Sequence, residues 1–363
     1  PAASRTACPG DRWRMTVRWI AAAVLTLTAG ILWLQTATAQ SLGPDHLDYY
    51  LQQALQADRP GSRLPLNHIG VQGEEVPEGF LLTAVLEDYP AHQAGLYRGD
   101  IILRANGARF HPVYSFNSRD QAPRFQPSRQ PLLLELQRDD ERLEVSVAPV
   151  FENLLDSYRS ATLNSVQQFP SGNKMVGYLR LWVLSRNSAD LIAYQQLFGE
   201  LRGSDGIILD LRDAVGFVDP AQLQLIYRGA TDLYQLAEPG IPDWLRIPAH
   251  SAPLTGVAPY RNPVALLIND RTRGGAELLA YQLDKLNRVI SLGERSAGQL
   301  GDWIPGADQP VLNYQPATGL QVDGQQLESA GYLPERPVSY PRRQAGRIDP
   351  QFQAAMDLLM GII

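Results

Sequence analysis

An α/β core with largely parallel strands, preceded by a small β-rich domain, is the fold class that this sequence predicts. Three observations lead there. A chain of 363 residues suits two domains better than one. From about residue 175 onward, apolar runs of strand length alternate with segments of helical spacing, the rhythm of a parallel-rich sheet wrapped by helices. Between residues 66 and 150 short β-like runs alternate with turns instead. Hydrophobic residues make up 44% and charged residues 19%, so the chain can bury a core and is not of the disordered class.

Residues 1–39 read as lying outside the fold. Met15 to Ala39 has the pattern of a secretory signal: Arg18 as the positive end, an apolar run from Trp19 to Leu34, and Ala37-Thr38-Ala39 as a small-x-small cleavage site that makes Gln40 the new N-terminus. Residues 1–14 read as upstream translated sequence or a long n-region. The rival is an uncleaved membrane anchor, although the run falls short of the roughly 20 residues a span prefers. Residues 40–65 form an N-terminal helix and linker. His46 to Ala57 carries apolar residues at helical spacing, with Asp45 as the expected cap, and Arg59-Pro60-Gly61-Ser62 ends it.

Residues 66–150 form the β-rich domain, with strands in GFLLTAVL, DIILRANG, PLLLELQR and LEVSVAP and a short helix in PAHQAGL closed by Gly95. Residues 151–363 form the α/β domain. MVGYLRLWVL reads as one strand, SADLIAYQQLFGELRG as a helix, and DGIILDLRD and PVALLIND as buried strands. GGAELLAYQLDKLN is the next helix, and RVISLGER the next strand.

Net charge is −6, so no global basic field points to nucleic acid. The sole cysteine, Cys8, precedes the cleavage site, which leaves the mature chain without thiol chemistry. The five histidines show no metal-ligand spacing, and no cofactor is expected. Lysine occurs only at Lys174 and Lys285.

Ile69-Gly70-Val71, Gly79-Phe80, Pro90-Ala91, Ala94-Gly95-Leu96, Gly99-Asp100-Ile101-Ile102 and Asn106-Gly107 together resemble a bacterial PDZ domain. The resemblance implies a peptide added as a strand, its C-terminal carboxylate held by backbone N–H groups of the loop His68-Ile69-Gly70-Val71. The expected partners are therefore peptide or protein C-termini, and a membrane only if the signal segment stays uncleaved.

The later segment resembles the C-terminal processing (tail-specific) serine proteases, whose core is of the S41 peptidase type. The landmarks occur in the family's order: Tyr178-Leu179-Arg180-Leu181, Leu209-Asp210-Leu211-Arg212, Asn269 to Leu279, Gly293-Glu294 to Gly298, Gly331-Tyr332-Leu333-Pro334, and Asp349-Pro350-Gln351. The family uses a serine nucleophile and a lysine base, because serine alone is weakly nucleophilic. With Asn269 and Glu277 as anchors, the reactive serine falls on Gly274. The lysine, roughly 25 residues further on, falls on Gln299 after Gly298. The oxyanion loop reads Asp213-Ala214-Val215-Gly216-Phe217, so Gly216 and Gly275 are the remnants of that hole. Loss of nucleophile or base costs on the order of 10⁶ in turnover.

The resemblance therefore implies a non-catalytic, exported peptide- or protein-binding member of the family. An active endopeptidase with a displaced nucleophile, through Thr272 or Ser296, is the second reading. A binder of small apolar ligands on the same core is the third. Arg271 and Arg273, which flank the turn, are expected to be surface charges, with carboxylate binding as the alternative.

Overall fold

The computed structural model describes residues 40–57, 60–227, 235–236, 258–307, 310–343 and 348–363. The expected signal segment and its cleavage site lie outside the described residues. Helix α1 (Leu47–Gln56) comes first and buries Tyr50, Leu51 and Ala54. Its cap position is held by His46, without a side-chain capping bond, rather than by the expected Asp45. The helix begins one residue later than the sequence suggests, and Asp45 stays outside it.

The β-rich part is an antiparallel sheet of β1 (Val71–Val76), β2 (Gly79–Val85), β3 (Ile101–Ala105), β4 (Leu132–Arg138) and β5 (Glu141–Val147), hydrogen-bonded in that order. Helix α2 (Pro90–Gln93) starts on a proline, whose fixed φ suits a first helical position. Asp100, from the Arg98-Gly99-Asp100 turn, is fully buried. It accepts from Tyr97 N and holds Arg138 through two bonds of 2.7 Å, so its role is structural. Strands Leu66–His68 and Val150–Glu152 pair antiparallel and close the base of this module.

Helix α3 (Leu154–Asn164), capped by the Asn153 side chain, leads into the second sheet. That sheet runs β6 (Gln167–Ser171), β7 (Lys174–Arg180), β8 (Gly206–Asp210), β9 (Val264–Ile268), β10 (Val289–Gly293) and β11 (Arg336–Pro337). All neighbours are parallel except the β6–β7 pair. Helices α4 (Ser188–Glu200) and α5 (Gly275–Leu283) cover one face, where Ile207, Leu209, Leu266 and Ile268 point. Helix α6 (Pro350–Ile362) covers the other, against Ile208, Ala265 and Leu267. Burial on both faces explains the unbroken apolar runs of β8 and β9.

MVGYLRLWVL is not one strand. The chain leaves the sheet after Arg180, and Val183–Leu184 pairs separately with Val215–Gly216. Trp182 causes the break. Its fully buried ring packs into a different cluster, with Tyr50, Leu66 and Tyr158; its backbone N–H donates to Thr162 Oγ1 and its indole N–H to Glu87. No helix among the described residues is long and apolar enough to cross a membrane.

Candidate functional site at the strand-to-helix turn

The carboxyl ends of β7 to β10 meet the turn that enters α5, the region where parallel sheets present ligand and catalytic groups. Asn269 holds this turn together by accepting from Asp213 N and Arg271 N. Thr272 Oγ1 accepts from Asn269 N and donates to Leu211 O. Gly274 then occupies the helix cap at φ 62°, ψ −136°, a conformation costly for any residue with a side chain. Its N–H donates to Gln299 O at 2.7 Å.

Gly274, Gln299 and Gly216, assigned from separate sequence segments, are thus brought together. A β-carbon on Gly274 would lie 2.9 Å from Gly216 O, and one on Gly275 would lie 2.2 Å from Val218 N. Backbone packs on backbone here, with no room left for side chains. Glu277 fixes the Gln299 loop from below, accepting from Ser296 Oγ (2.8 Å), Gly298 N (3.0 Å) and Gln299 N (3.3 Å). Burial pushes its carboxyl up to about 7.

Helix α1 lies over the turn, and the sequence reading missed this. Asp48 binds Arg273 at 2.9 Å, Gln52 faces the space beside Gly274 and Gln299, and Gln56 donates to Trp303 O. These residues are four apart, on one face of the helix. The remaining cavity is about 20 Å³, close to the volume of one water. The polar stripe was visible in the sequence, but the same spacing describes any solvated helix face.

Arg271 and Arg273 are not surface charges. Arg271 pairs with Asp213 at 3.2 Å and reaches Gln72, while Arg273 is 7% exposed and bound to Asp48. Thr272 and Ser296 are both buried and committed, Ser296 accepting from Tyr332 N as well as donating to Glu277. Lys285 lies beyond the end of α5, paired with Asp323 and above the Tyr281 ring.

One serine–histidine contact was not legible in the sequence, because 89 residues separate its members: Ser157 Oγ lies 3.1 Å from His68 Nε2. Gly70 N–H donates to His68 Nδ1, so the proton sits on Nε2 and points at the serine. Ser157 Oγ in turn donates to Glu152 at 2.7 Å. The imidazole therefore has no lone pair to take the serine's proton. Burial lowers the imidazole to about 3, so it is neutral.

This latch involves the expected carboxylate loop. His68, Ile69, Gly70 and Val71 are all buried; Gly70 has φ +77°, and its O accepts from Leu86 N. A β-carbon at Gly70 would lie 2.3 Å from Tyr89 Cβ, so a bulky residue there disturbs the module itself. Among the described residues no cluster of three His, Cys, Asp or Glu is placed to hold a metal.

Residues 175–338 match the family model "Peptidase family S41". The chain is similar to that family over this segment. It is 27% identical to a carboxyl-terminal-processing protease of Synechocystis sp. over 325 residues, covering 82% of this chain and 69% of the relative. A carboxyl-terminal-processing protease of Picosynechococcus sp. is 25% identical over 313 residues, covering 81% and 70%. A crystal structure from Bacteroides fragilis, assigned to the S41 proteases, superposes with a TM-score of 0.53 at 15% identity, covering 91% of this chain and 88% of that one. This last likeness concerns the fold alone.

Proposed function

We propose that this chain is an exported, non-catalytic member of the S41 family that binds peptide or protein C-termini, with the β-rich module acting as a PDZ domain. The observation that carries the reading is the state of the strand-to-helix turn. Where the family resemblance calls for a serine there is Gly274, and where it calls for a lysine there is Gln299, whose backbone oxygen is bonded to the Gly274 N–H. Gly216 O stands where a side chain would begin, and α1 covers what space remains. The remaining hydroxyls near the turn are buried and committed, Thr272 donating to Leu211 O and Ser296 to Glu277 while accepting from Tyr332 N.

Strand β1 supports the binding half of the proposal. It is an edge strand that pairs only with β2 among the described strands, and it directly follows the His68–Val71 loop. An edge with unpaired backbone groups accepts an extended peptide. A bound carboxylate takes over the Gly70 N–H that His68 now holds. Export rests on the signal pattern of residues 15–39.

The test combines binding and cleavage. The mature chain should bind free-acid C-terminal peptides more tightly than their amides, by fluorescence anisotropy, and leave them intact. Equal affinity for acid and amide would remove the PDZ assignment, and turnover of the peptides would remove the non-catalytic one.

A further inference from the structure

A second, much larger cavity adjoins the covered turn. Its volume is about 620 Å³, within the range typical of small-molecule sites. Phe217 and Trp303 line both spaces and so form the wall between them. The C-terminal end of α1 frames it through Leu55 and Gln56. Where α1 fills the old catalytic cleft, its far end leaves this neighbouring space open.

The two sides of the cavity differ in chemistry. Leu55, Phe217, Trp303 and Ile304 give an apolar wall, and Ile304 is 44% exposed although apolar. Arg63, Arg159 and Arg186 give a guanidinium wall. Arg63 and Arg159 are held by Asp156, and Arg159 also by Asp190; neither carboxylate lines the cavity. Asp302 is the one carboxylate among the described lining residues. The Arg63 side chain is only 10% exposed, yet its buried Nε has no hydrogen-bond partner. A buried donor left in this way is destabilising unless something accepts from it.

We propose that this cavity is a binding site for an apolar carboxylic acid, with the hydrocarbon against Phe217, Trp303 and Ile304 and the carboxylate toward the three arginines. Guanidinium groups suit a carboxylate because their paired N–H groups match its two oxygens. Such an acid has two sources, the C-terminal residue of a peptide or a free alkyl acid. The site is separate from the β1 edge, so it stands or falls apart from the PDZ reading.

The mature chain would be titrated calorimetrically with N-acetyl-L-phenylalanine, its amide and dodecanoate. The expected result is binding of at least one acid, with the amide of N-acetyl-L-phenylalanine at least roughly ten-fold weaker if that acid is the one bound. Which acid binds more tightly names the source. Ile304→Asp adds a negative charge at an exposed position and should weaken acid binding by roughly ten-fold or more. Ile304→Val should bind as the unaltered chain does. Both variants should keep the anisotropy response of long C-terminal peptides at the β1 edge, and their melting temperatures report that they are folded. Failure of both acids to bind at millimolar concentration, equal binding of N-acetyl-L-phenylalanine and its amide, or acid binding unchanged in folded Ile304→Asp would overturn the proposal.

Discussion

A serine at position 274 would have to fit its first carbon 2.9 Å from Gly216 O while holding φ near 62°. Both demands strain the backbone, so Gly274→Ser should destabilise the protein by about 1–3 kcal/mol and gain no reactivity. Denaturant unfolding and a fluorophosphonate probe measure the two effects. His68 provides a second expectation at this scale. Its folded pKa, about 3, lies below the ordinary value of 6.5, so as pH falls the unfolded chain takes up the proton first. The latch contribution is full above pH 6.5 and declines as pH drops toward 3, by at most about 1.4 kcal/mol per unit. Unfolding midpoints at pH 7.5, 5.5 and 4.5 should fall more steeply for the native chain than for His68→Gln. The sequence placed Gly274, Gln299 and Gly216 together because the motif anchors Glu277 and Gly298 touch in the fold. It placed Arg271 and Arg273 wrongly, because their carboxylate partners Asp213 and Asp48 lie 58 or more residues away.

Helix α1 carries the strongest expectation among the elements. Asp48 supplies the carboxylate for Arg273, where burial alone would raise its pKa but Arg273 and Arg271 hold it below the ordinary value. Asp48→Ala leaves that guanidinium, 7% exposed, without its carboxylate. The loss should be about 1–3 kcal/mol, and hydrogen exchange should quicken at Arg273 to Ala276 while the amides of β8 stay protected. Unchanged exchange at the turn would mean that α1 does not hold it. The parallel strands were legible because both faces of β8 and β9 are covered and their sequences are uniformly apolar. The break after Arg180 was not, since Leu181 and Trp182 are as apolar as the strand they leave and only Trp182 turns to a different cluster. The Asp45 cap failed for a local reason: His46 adopts the extended cap conformation, and the helix follows it.

At the scale of the whole molecule, the β-rich module and the α/β core are tied by charged contacts around the turn. Arg98 stacks on Tyr340 and donates to the Tyr340 and Pro341 carbonyls. Arg342 bridges Glu74 of β1 and Asp270 of the turn. The β1 edge is thus linked to the covered turn, an arrangement that suits the proposed binding without turnover. The absence of serine-type chemistry can be measured on the unmodified protein. The mature chain is incubated with an unstructured substrate such as β-casein, with a fluorophosphonate probe in a parallel sample, and both are followed by intact-mass spectrometry. Full-length casein and an unlabelled chain are expected at every time point. Casein fragments that accumulate with time, together with a probe adduct on Thr272, Ser296 or Ser157, would contradict it.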